Sequence, residues 1–117
     1  MRRLLIVAMI AACRATPRDV APCSTVASRY FAIALADLDK SPIDGALRRG
    51  AADQLPGLRD ALAQVCTRGA WSAQVRECMA RADDRVGYEA CERLLTEDQR
   101  AALDEAARLQ TTSPGPW

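Results

Sequence analysis

No histidine occurs among the 117 residues of this chain, and that absence removes more chemistry than any other feature of the composition. Histidine is the commonest general base near neutral pH and the commonest metal ligand, so the usual agents of nucleophilic and metal-assisted catalysis are missing. Haem attachment through C-x-x-C-H is excluded with it. The five cysteines are scattered, with no two inside one C-x-x-C, so zinc-ribbon and thioredoxin-type sites are excluded as well. Aromatics are scarce at 4%, and the apolar half of the chain is mainly alanine, leucine and valine. Alanine supplies helix propensity but little buried area, so the core is thin and suited to covalent staples. There is also no excess of either charge: the net charge is +1, and setting aside Arg2 and Arg3 leaves 14 of the 16 basic residues against 15 acidic ones. That balance gives no electrostatic footprint for nucleic acid.

What the chain does have begins at its N-terminus. Met1-Arg2-Arg3 is a short positive start, followed by the apolar run Leu4 to Ala12. Nine helical residues span roughly 14 Å, about half a bilayer core, so this run is an export signal and not a transmembrane anchor. It ends in Ile10-Ala11-Ala12-Cys13. That tetrad resembles the lipobox of bacterial lipoproteins: an apolar residue, two small ones, then cysteine. The resemblance implies cleavage before Cys13, with residues 1–12 as signal peptide, and diacylglycerol on the Cys13 sulfur. Residues 13–22 then form the lipid-bearing cysteine and a short tether. Arg14 stands where an inner-membrane retention aspartate would, which favours the outer membrane in a host that has one. Ordinary secretion is the alternative.

From Cys23 onward the pattern is helical and strand-type alternation is absent, which predicts an all-α domain over 23–110 built from four to five short helices. Ser24 is the expected cap of a first helix reaching about Leu38, with Val26, Tyr30, Ile33 and Ala34 near one face and Ser41-Pro42 ending it. Residues 41–54 are ambiguous, with Ile43, Ala46 and Leu47 able to form a short helix between Pro42 and Gly50. A separate helix is then expected with Pro56 in its first turn, the stripe Leu58, Leu62 and Val65, and Gly69 as its stop. Ser72 and Asp84 are the expected caps of two further helices, and Thr96-Glu97-Asp98-Gln99 has the form of a capping box opening a fifth. Residues 111–117, with Pro114 and Pro116, read as a disordered tail.

With Cys13 assigned to lipid, Cys23, Cys66, Cys78 and Cys91 remain, and four cysteines allow three pairings. An antiparallel return brings the start of the first helix beside the end of the second, which favours Cys23–Cys66. Cys78 and Cys91 stand at similar distances from the Asp83-Asp84 turn, which favours Cys78–Cys91. The nested pairing of Cys23 with Cys91 and Cys66 with Cys78 remains the alternative.

The layout of these cysteines around Trp71, closed by "LLTEDQRAAL", resembles a group of small exported bacterial four-cysteine helical proteins of no established activity. Members of that group carry His where this chain has Arg29, so any role of that His does not transfer. Leu95-Thr96-Glu97-Asp98-Gln99 is also similar to the LTxxQ motif of Spy/CpxP-like periplasmic chaperones and stress sensors, which show two such motifs against one here. The carboxylate pairs Asp37/Asp39 and Glu89/Glu92 read as solvated charge in a bundle with little room for a pocket. Trp71 and Tyr88 are the candidate partner-binding residues, and no catalytic residue, metal or cofactor is expected. The functional expectation is a lipid-anchored module of the cell envelope, binding or scaffolding an envelope protein while held to the membrane through Cys13. A periplasmic chaperone or stress sensor is the alternative.

Overall fold

The computed structural model describes residues 20–112, which form five helices: α1 (Cys23–Lys40), α2 (Gly45–Arg68), α3 (Ala73–Ala80), α4 (Arg85–Glu92) and α5 (Glu97–Thr112). No strand occurs among the described residues. The leader, Cys13 and most of the tether lie outside them, as does the tail beyond Thr112. The domain is all-α, and α5 continues two residues into the segment read as tail.

Two disulfides close the bundle. Cys23 at the start of α1 is bonded to Cys66 near the end of α2, and Cys78 of α3 to Cys91 of α4, each with Cα atoms 5.7 Å apart. This is the pairing favoured by antiparallel return, and the nested alternative is excluded. α2 packs against both α1 and α5, and α1 also packs against α3 and α4. The interior is built from Val26, Leu62, Cys66, Trp71, Val75, Met79, Tyr88, Cys91 and Leu95, with Met79, Val26, Val75 and Cys66 fully enclosed.

Ser24 does not cap α1. Pro22 occupies the cap position, and its carbonyl accepts from the Thr25 and Val26 N–H groups at 3.0 and 3.2 Å. The chain is fixed upstream of Ser24, because Arg76 Nη1 donates to the Ala21 carbonyl (3.2 Å) and Cys23 is tied to Cys66. The helix therefore starts two residues early, without a side-chain cap.

The second correction concerns residues 45–68. In place of a short helix and a separate one beginning near Pro56, a single helix runs through the proline. Asp44 caps it by accepting from the Leu47 N–H (2.9 Å), and Arg48 Nη2 reaches back to the carbonyls of Ser41 and Ile43. Pro56 has no N–H to offer the Ala52 carbonyl, and an interior proline costs about 3 kcal/mol. Tertiary packing offsets this: Leu55 and Leu62 are buried, and the Arg59 guanidinium lies 5.1 Å from the Phe31 ring centroid on α1.

α2 stops at Gly69 as expected, in a Schellman turn. Gly69 is right-handed helical, and the left-handed position is taken by Ala70 (φ 47°). The Trp71 N–H donates to the Cys66 carbonyl and the Ala70 N–H to the Thr67 carbonyl, both at 3.2 Å. A side chain in that conformation costs about 1 kcal/mol relative to glycine. Ala70→Gly therefore raises the thermal midpoint by roughly 4–8 °C, read by calorimetry, and an unchanged or lower midpoint would contradict the assignment. Gly69 is needed for a different reason. A Cβ there would stand 3.0 Å from the Val65 carbonyl oxygen and 3.1 Å from Cδ1 and Nε1 of Trp71.

Candidate functional site

The two aromatics expected to meet a partner are both interior. Trp71 is 2% exposed and Tyr88 4%, so neither presents a free face to an incoming protein. Trp71 follows the Schellman turn directly, and its side chain is carried inward against Cys66 and Val75. Its Nε1 is buried without an acceptor among the described residues. Tyr88, one turn into the Asp84-capped α4, places its hydroxyl 3.4 Å from the Val26 carbonyl and its ring centroid 5.8 Å from that of Tyr30. Burial pushes both phenols upward, Tyr88 furthest.

The capping-box reading of Thr96–Gln99 is present in full. Gln99 Oε1 accepts from the Thr96 N–H (3.0 Å), and Thr96 Oγ1 accepts from the Gln99 N–H (3.1 Å). The Gln99 amide then donates through Nε2 to the Gly69 carbonyl (2.9 Å), tying the start of α5 to the turn after α2. Ser72 and Asp84 cap α3 and α4 as their residue types predict.

The bundle has more room than its alanine content suggests. A cavity of about 210 Å³ lies between α1, α4 and α5, lined by Tyr30, Tyr88, Glu89, Glu92 and Asp104 over an apolar base of Ile33 and Leu103. A second, of about 350 Å³, continues along α1 to α2 over Ala34, Leu38, Leu55 and Leu58. Tyr30, Ala34 and Arg85 line both, so the two form one trough across α1. Arg85 stands where they meet, its Nε 3.1 Å from Asp37 Oδ2.

Glu92 is therefore not on an open helix face beside Glu89 but half-buried at one end of this trough. Desolvation, with like charge from Glu89 and Asp104, pushes its carboxyl above the ordinary range, and Arg100 offsets part of that. A raised carboxylate value means that the folded chain holds this proton more readily than the unfolded one. The associated stability is complete at pH below the ordinary carboxylate range and is lost as pH rises through the raised value. Glu92→Gln thus has little effect near roughly pH 4 and stabilises the domain at neutral pH. Because the carboxyl is only half-buried, solvent screening keeps the gain in Tm small. Equal shifts at both pH values would refute the coupling.

Among the described residues no group of histidine, cysteine, aspartate or glutamate side chains is placed to hold a metal ion, and no helix is long and apolar enough to cross a membrane. The trough belongs to a small all-α domain held by two disulfides, and charged side chains of α1, α4 and α5 line it. Comparison with protein-family models, curated proteins and solved structures returns no match.

Proposed function

We propose that this chain is a lipid-anchored module of the cell envelope that works by binding, with the trough across α1 as its contact site. The observation that carries the reading is the cysteine pairing. Two disulfides use four cysteines, and the fifth, Cys13, stands directly after Ile10-Ala11-Ala12 at the end of the export signal. Disulfides belong to oxidising compartments, which agrees with export. Two or more acyl chains on one cysteine satisfy the requirement for stable anchoring. The Thr96–Gln99 box is accounted for by its role at the start of α5 and adds nothing to a chaperone reading.

Intact-mass measurement on the full chain, produced in a bacterium with lipoprotein maturation, tests this directly. The expected product begins at Cys13, carries acyl mass and lacks four hydrogens for two disulfides. Cys13→Ser abolishes the acyl mass and leaves both disulfides in place. A full-length mass with five free thiols would overturn the reading.

A further inference from the structure

We propose that the trough across α1 docks a basic segment of a partner protein, a Lys or Arg side chain entering beside Tyr30 toward Glu89, Glu92 and Asp104 while its apolar neighbours cover Ala34, Leu38 and Leu58. This inference rests on the binding reading above and names the partner's chemistry.

Charge is the first reason. Glu89, Glu92 and Asp104 line one cavity and form no ion pair among the described residues, whereas Arg85, the cation lining the same cavity, is already engaged by Asp37. An anionic segment would be repelled here. A neutral apolar one would desolvate three carboxylates without partners, which is unfavourable. A cation relieves their mutual repulsion and lies beside the half-buried Tyr30 as well.

Shape is the second reason, and it separates a protein segment from a free amine. The acidic cavity alone would hold one basic side chain, but the trough continues past Arg85 onto Ala34, Leu38, Leu55 and Leu58. That extension offers apolar contact to the residues on one side of the cation. The walls are pre-organised, since the Cys78–Cys91 disulfide fixes α4 and the Tyr88 hydroxyl fixes its ring against α1.

The test uses the full disulfide-bonded chain in neutral phosphatidylcholine nanodiscs, or in buffer if it carries no acyl group. The probe is a short fluorescent peptide of alternating Lys and Leu, followed by anisotropy, with a Glu-for-Lys peptide as its counterpart. The Lys peptide is expected to bind, more weakly as salt rises. Replacing Glu89, Glu92 and Asp104 together (Glu89→Gln, Glu92→Gln, Asp104→Asn) weakens it about tenfold or more without lowering Tm, and Leu58→Ser weakens it separately. Equal affinity for the triple variant, equal binding of the Glu peptide, or full displacement by a simple alkylamine at the peptide's own affinity would each overturn the proposal. The mass of the same preparation keeps the two readings apart. Peptide binding without acyl mass defeats the anchor alone, and acyl mass without peptide binding defeats the docking site alone.

Discussion

Removing the Cys23–Cys66 disulfide by double alanine substitution lowers stability by about 4 kcal/mol, against about 3 kcal/mol for Cys78–Cys91, on the chain-entropy model. The difference comes from loop length, since the bonded residues are 43 and 13 apart in sequence. A domain of this size has a total stability of roughly 5–13 kcal/mol, so loss of both disulfides brings it close to unfolding at 37 °C. The two bonds also fail differently. Cys66 is fully buried, so its replacement disturbs the packing between α1 and α2 and affects the whole domain. Cys78–Cys91 joins two eight-residue helices, well below the length that is stable alone. Without it, α4 detaches and carries Tyr88, Glu89 and Glu92 away from the trough. Urea unfolding should show one broadly shifted transition for Cys23→Ala/Cys66→Ala. Cys78→Ala/Cys91→Ala should lose protection from hydrogen exchange in α4 before the rest unfolds. Two variants with wild-type midpoints would show that neither bond stabilises the fold.

Although helix lengths and turn positions left the nested pairing open, they point to the favoured disulfide pairing, which was therefore legible. The same holds for the caps at Ser72, Asp84 and Thr96, where a short polar side chain precedes an apolar period and satisfies nearby N–H groups. The misses came where distant contacts overrule a local signal. Pro56 marks a helix boundary by every local rule, yet packing on both sides of it carries α2 through. Ser24 is a good cap by residue type, but Arg76, more than fifty residues away, holds Ala21 and sets the helix start first. Gly69 is the stop its residue type predicts, although the left-handed position falls on Ala70 and the missing side chain of Gly69 serves the approach of Trp71. The trough was not legible at all. Its carboxylates come from α4 and α5 and its floor from α1 and α2, so no window of sequence contains it. Glu89 and Glu92 three residues apart look like ordinary surface charge until Asp104 of α5 and Tyr30 of α1 are brought beside them.

Trp71→Ala should be among the most damaging single substitutions outside the disulfides, costing about 3–5 kcal/mol. The indole packs directly after the Schellman turn, where the Trp71 N–H is bonded to the Cys66 carbonyl and Cys66 to Cys23. Backbone held in this way does not collapse into the space vacated, so the cavity term is near its full value. Beside it a cavity of about 400 Å³, lined by Val65, Ala102, Ala106 and Leu109, would open further. Trp71→Phe behaves differently. It gives up part of the buried ring, about 1 kcal/mol, but also deletes an N–H that is buried without an acceptor, and such a donor costs about 1–3 kcal/mol. The two effects nearly cancel, so Trp71→Phe stays within about 1 kcal/mol of the parent chain. Gly69→Ala has a larger effect than its one added methyl suggests, because that methyl lands on the indole edge and the Val65 carbonyl together. Urea denaturation followed by far-ultraviolet circular dichroism measures all three. A Trp71→Phe variant as damaged as Trp71→Ala would mean that the indole nitrogen makes a bond that matters, and the orphan donor would then be the wrong account of this site.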